Sequence, residues 1–140
     1  TRIASSILND YDFQITEVHH NRKKDSPSGT ALKIAAEIEK GINYNSQIED
    51  SYSAENTTIP INAVRAGGVV GKHEVMIVSD QDMITISHES LSRKAFAAGA
   101  LRAARFIYKK IGFYEMKDVL NLEEILNNII NGGRRTAVGD

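Results

Sequence analysis

The apolar positions change period several times along the chain, and each change marks an element. Ile3, Ile7 and Leu8 recur at helical spacing until residues 9–12, Asn-Asp-Tyr-Asp, break the pattern with turn formers. The opening therefore reads as the last turns of a helix that began earlier, which points to a piece of a longer protein. A short strand is expected next in FQITEVHH, with Phe13, Ile15 and Glu17 on one side and Thr16 and Val18 on the other, ending at His19 and His20. From Ala31 the period returns to 3.6: Ala31, Ile34, Ala35 and Ile38 share a stripe, Lys33, Glu37 and Lys40 lie away from it, and Gly41 closes the helix.

Residues 42–57 are polar and aperiodic, which predicts a surface loop. Three strands are expected beyond it, in TIPINAVRAG, KHEVMIVSD and DMITISHES, the last two joined by a tight turn at Asp80-Gln81 into a hairpin. HEVMIVS is apolar on both faces, so that strand should be covered on both, by helix on one side and by a second layer or a second subunit on the other. Ser92–Ile111 predicts a long helix with Phe96, Ala100, Ala103 and Ile107 on one stripe, stopping at Gly112. The remainder predicts a short extended piece and then a helix from about Leu122 to Ile130, with Asn121 as its cap and a frayed tail at 134–140.

Composition narrows the function classes. A chain of 140 residues holds one ordinary core, and 41% apolar with 25% charged residues is the globular norm. With 17 basic against 18 acidic residues the net charge is −1, so no global field favours nucleic acid or an anionic membrane. There is no cysteine, which removes disulfides and thiolate metal sites and fits a reducing cytoplasm. No apolar run approaches the roughly 18 residues of a spanning helix, and the chain reads as soluble.

The candidate chemistry sits between the first strand and the next helix, in EVHHNRKKDSPSGTAL, Glu17 to Leu32. Ser26-Pro27 predicts a helix start, since Ser caps free N–H groups and Pro suits the first helical position. Ser28, Gly29 and Thr30 would then form the first turn. Their N–H groups and hydroxyls would face the same way as the positive end of the helix dipole, a cradle for a carboxylate or phosphate. An ordinary capped helix is the plain alternative. His19, His20, Lys23 and Lys24 bring proton donors within a few residues of that cradle. A zinc site is not expected, because His73 and His88 are the only other histidines and thiols are absent. RAGGVVGKH fails both as a dinucleotide fingerprint and as a P-loop: Ala66 stands at the first glycine position, His73 follows Lys72, and a strand follows the turn.

The same stretch resembles the signature of the dihydrodipicolinate reductase family, also called 4-hydroxy-tetrahydrodipicolinate reductase. That signature runs His-His, two residues, Lys, one residue, Asp, one residue, Pro-Ser-Gly-Thr-Ala. Here His19, His20, Lys23, Asp25, Pro27, Ser28, Gly29, Thr30 and Ala31 fill every position. The resemblance continues through VRAGGVVGKHEV, ITISHESLSRKAFAAGALRAARFI and YEMKDVLNL, and is weakest at 42–57 and after Leu122.

The resemblance implies an α+β fold, an open mixed four-stranded sheet with helices on one face. It implies that 1–12 link from a dinucleotide-binding domain outside this chain, that 13–112 form the substrate-binding and oligomerisation domain, and that 113–140 pack back on the outside domain. The implied activity is NAD(P)H-dependent reduction of a cyclic imine dicarboxylate to tetrahydrodipicolinate, in lysine and diaminopimelate biosynthesis, by a cytoplasmic homotetramer. NADPH or NADH would bind mainly outside these residues, leaving the chain inactive alone. By the same resemblance His19 and Lys23 handle the proton, while His20, Lys23, Ser28, Gly29 and Thr30 hold the carboxylates. No metal, nucleic acid or membrane partner is implied. Asp25 is expected to organise the loop, and Arg65 to lie near the site or at a subunit contact. Two other functions remain open: an oligomerisation module without a competent site, and a generic anion-binding module.

Overall fold

The computed structural model describes residues 1–43 and 58–132. These fall into two compact units, Thr1–Ser92 and Arg93–Asp140. The first contains helix α1 (Arg2–Ile7), strand β1 (Asp12–His19), helix α2 (Gly29–Ile42) and strands β2 (Ile61–Arg65), β3 (Lys72–Val78) and β4 (Met83–Glu89). The expected open mixed sheet is present, in the order β2-β1-β3-β4. β1 runs parallel to β2 and antiparallel to β3, and β3 and β4 form the expected antiparallel hairpin.

Alternation along β1 decides which face is covered. Phe13, Ile15, Glu17 and His19 are all buried, while the residues between them are less so. Phe13 and Ile15 join Val75 and Ile77 of β3, Ile59, and Ala31, Ala35 and Ile38 of α2 in one core. Ala4 and Leu8 pack against it from the α1 end of the chain. The opposite face carries Thr16, Val18, Val64, Met76 and Val78, all half-buried, so the two-sided apolar character of β3 is real.

Two local expectations need correction. The helix starts two residues after Ser26-Pro27, a cis peptide bond: Ser28 is the cap, with extended backbone, and its hydroxyl oxygen accepts from the Ala31 N–H. Gly41 does not close α2, which continues to Ile42 and is capped at Asn43. Gly41 is instead where α1 crosses, and a Cβ there would run into the Ser5 side chain and the Arg2 carbonyl. The expected loop 42–57 lies, from residue 44 on, outside the described residues, as does the tail 134–140.

The second unit contains α3 (Lys94–Ile107), α4 (Met116–Val119) and α5 (Leu122–Gly132). α3 ends earlier than expected, since Tyr108 is extended and Lys109 has a positive φ of 62°. Residues 116–119, expected to be extended, form one helical turn because the Glu115 N–H donates to the Asp118 carboxylate at 2.6 Å, closing the start of a turn. Asn121 (φ 52°) precedes α5 and its carbonyl accepts from the Ile125 N–H, but its side-chain amide donates to Glu124 rather than capping a backbone N–H.

Candidate functional site

The covered face of the sheet is apolar at one end and charged at the other. Past Phe13 and Ile15, the same alternation puts Glu17 and His19 on that face, and the strand register sets Glu17 beside His73 of β3 and His19 beside Arg65 of β2. The Glu17 carboxylate is fully buried. Its Oε1 accepts from Arg65 Nη2 at 2.8 Å and from the Ser28 N–H at 3.0 Å, and its Oε2 lies 2.5 Å from His19 Nδ1. The rings of His19 and His73 meet edge to face with centroids 5.1 Å apart. Gly71 packs on the other side of His19, where a Cβ would stand 3.0 Å from Nε2; the absence of a side chain there makes room for the ring.

The loop from β1 to α2 is tied to this cluster from above. Arg65 Nη2 also donates to the Asp25 carbonyl at 2.7 Å, and Nη1 donates to its own neighbour's carbonyl, Val64, at 2.8 Å. Both carboxylate oxygens of Asp25 lie 2.8 Å from Lys23 Nζ. Ser28 Oγ lies 3.1 Å from His73 Nε2. The same hydroxyl oxygen accepts from the Ala31 N–H, and which of Ser28 Oγ and His73 Nε2 donates to the other is set by the tautomer of the ring. At the start of α2 the Ser28 and Ala31 N–H groups are taken, and those of Gly29 and Thr30 have no acceptor among the described residues. Both residues are exposed.

Charge follows from these contacts. Burial alone would raise the pKa of Glu17, but the Arg65 hydrogen bond, the hydrogen bonds from Ser28 and the Arg65 charge outweigh it and hold the carboxyl below its usual range. Burial depresses His73, with the neighbouring His19 adding to the effect and Glu17 partly opposing it. Asp25 is lowered mainly by its hydrogen bond from Lys23. Ligand atoms of Glu17, His19 and His73 lie within 4.8 Å of one another, the spacing of a three-donor metal set. Here Oε1 is hydrogen-bonded to Arg65 and Ser28, while Oε2 stands 2.5 Å from His19 Nδ1 in an ion-pair contact without hydrogen-bond alignment.

The residues singled out by sequence thus occupy three layers. His19 is buried with Glu17 and His73. Ser28 is buried as the helix cap, with both its N–H and its hydroxyl in use. Lys23, Gly29 and Thr30 lie on the outer side, Lys23 held by Asp25. His20 follows the strand, half-buried, and its carbonyl accepts from the Lys23 N–H at 3.1 Å. His19 and Lys23 are joined through Asp25, Arg65 and Glu17. Glu17 and His73 were not singled out as site residues. An acidic residue on the apolar side of a strand pattern was the available signal for Glu17, and nothing local marks His73.

The turn 66–71 runs from β2 into β3 rather than into a helix. It therefore does not form a dinucleotide cradle. A cleft of about 470 Å³ lies at the opposite end of β1, lined by Asp10, Tyr11, Asp12, Val78, Ser79, Asp80 and Gln81. Three aspartates make it a poor seat for an anion.

Residues 1–120 match the family described as "Dihydrodipicolinate reductase, C-terminus". Among curated proteins, the 4-hydroxy-tetrahydrodipicolinate reductase of Thermosipho africanus is 42% identical over 118 residues, 84% of this chain and 46% of that protein. The same-named protein of Methanospirillum hungatei is 40% identical over 124 residues, 86% of this chain and 49% of that protein. A solved structure titled "Dipicolinate bound Dihydrodipicolinate reductase from Paenisporosarcina sp. TG-14" superposes with a TM-score of 0.55 at 28% identity, covering 71% of this chain and 41% of that one. The chain spans about half the length of the curated relatives it matches.

Proposed function

The chain belongs to the family of dihydrodipicolinate reductase C-terminal domains, and from that premise we propose that it is the substrate-binding and proton-handling part of 4-hydroxy-tetrahydrodipicolinate reductase, an enzyme of lysine and diaminopimelate biosynthesis. The observation that carries this reading is the exposed start of α2. Two N–H groups without acceptors among the described residues, on Gly29 and Thr30, stand at the positive end of a 14-residue helix, with a lysine in the loop that leads into it.

In this reading one carboxylate of a planar cyclic dicarboxylate accepts from the Gly29 and Thr30 N–H groups and the Thr30 hydroxyl. Lys23 exchanges Asp25 for the other carboxylate, and His20 borders the ring. Ser28, already engaged by Glu17 and His73, supports the cradle by fixing where the helix begins. Lys23 and His19 form the proton-handling pair, Lys23 from the outer side and His19 from the buried side.

We assign the nicotinamide cofactor of the family, NADPH or NADH, mainly to residues outside this chain, a reading supported by the glycine-rich turn 66–71 joining two strands rather than a strand and a helix. The roles assigned to this chain are therefore binding and proton handling alone. The outer sheet face around Val18, Val64, Met76 and Val78 is the surface we assign to sister subunits of a homotetramer in the cytoplasm. No described helix is long and apolar enough to cross a membrane.

Calorimetric titration of the chain with pyridine-2,6-dicarboxylate, beside Lys23→Ala, tests this reading. Binding weakened at least about tenfold in the variant is expected, the loss of one charge-assisted hydrogen bond. Equal affinity in the two proteins contradicts the assignment. No binding to a folded chain favours the oligomerisation module instead.

A further inference from the structure

We infer that the buried Glu17–Arg65 pair is a positioning device that sets the His19 ring and the Lys23 loop in one fixed geometry, a role that rests on the dicarboxylate reading above. A carboxylate on the covered face of a strand is an unlikely choice for stability alone, since a hydrophobic side chain of similar volume commonly serves a core as well or better. What Glu17 does that a leucine could not is reach three elements at once. It meets His19 of its own strand at 2.5 Å, Arg65 of β2 at 2.8 Å and the Ser28 N–H at the cap of α2 at 3.0 Å.

Arg65 extends the reach to the loop. The same Nη2 that donates to Glu17 donates to the Asp25 carbonyl at 2.7 Å, and Asp25 holds Lys23 Nζ at 2.8 Å. His19, Ser28 and Lys23 are thereby each one or two contacts from this pair. The planar guanidinium matters, because it bridges two acceptors with one nitrogen while a second nitrogen is tied to the Val64 carbonyl. A lysine in its place would keep the charge and lose the fork.

The pair also biases which nitrogen of His19 carries a proton. Oε2 faces Nδ1 at 2.5 Å as a close ion-pair approach without hydrogen-bond alignment, and because an ionised carboxylate only accepts, this approach favours a proton on Nδ1 over one on Nε2, which lies beside Gly71. Glu17 and Arg65 act through His19 and Lys23 and are positioning residues, not catalytic ones.

Nitrogen-15 NMR of the imidazole rings in this chain, at a pH where the ring is neutral, tests the inference without any substitution: the proton of His19 should be on Nδ1. In Glu17→Gln that preference should weaken. In Arg65→Lys, pyridine-2,6-dicarboxylate should bind at least tenfold more weakly although the net charge is unchanged. A wild-type His19 with its proton on Nε2 overturns the inference, whether or not Glu17→Gln folds. An Arg65→Lys variant that binds like wild type overturns it as well. A proton on Nδ1 together with no dicarboxylate binding in wild type supports the positioning role and defeats the functional reading, so the two failures are distinguishable.

Discussion

At the scale of single residues, the site is a set of protonation states held by neighbours. Glu17 is kept ionised below its ordinary value of 4.5: burial opposes this, and Arg65 and Ser28 prevail. A lowered carboxylate stabilises the fold above its unfolded pKa, and that contribution is lost as pH falls through the folded value. His73 is lowered from its ordinary 6.5 by burial and by His19, with His88 and Lys23 adding to the effect and Glu17 opposing it. Below pH 6.5 the unfolded chain therefore takes up a proton that the folded chain refuses, and stability falls with pH there too. Both effects lie on the acid side, His73 first and Glu17 later. Thermal melts from pH 7.5 to 5 should show the loss, with a shallower slope in His73→Gln, which cannot take up that proton. Identical slopes would contradict the assignment of His73 as a half-buried ring held neutral.

At the scale of elements, the start of α2 and its crossing with α1 are the sensitive points. Ser28→Ala removes a cap and a partner of His73, and should cost about 1–2 kcal/mol in chemical denaturation. Gly41→Ala places a methyl against Ser5 and the Arg2 carbonyl, and because part of that obstacle is backbone it should cost about 1–3 kcal/mol, against the small gain expected of alanine in a helix. Much of this framework is legible in the sequence. The alternation at 13–19, the hairpin at 72–89 and the stripe of α2 each rest on local patterning, and each is present. The helix start was misplaced because Ser26 and Ser28 are equally competent caps. What selects Ser28 is the Glu17 carboxylate on its N–H, a partner eleven residues away across a loop. That Glu17, Arg65 and His73 meet in one cluster was illegible for the same reason, although Arg65 was already expected near the site or at a subunit contact. It exists only once β1 has β2 on one side and β3 on the other in this register, and no local pattern encodes those pairings.

At the scale of the molecule, the first unit contains both the sheet and every residue assigned to binding, while α3 to α5 belong to the second. The two ends of β1 are electrostatically opposite: a helix start beside Lys23 at one, a cleft with Asp10, Asp12 and Asp80 at the other. A dianion should therefore choose one end decisively. The most direct measurement is a backbone amide NMR titration of this chain with pyridine-2,6-dicarboxylate. The largest, saturable shifts should fall at Gly29 and Thr30, with smaller ones through residues 20–25. Saturable shifts centred instead on Asp10–Asp12 and Ser79–Gln81, or a titration that leaves Gly29 and Thr30 unmoved, would contradict the placement of the dicarboxylate at the start of α2.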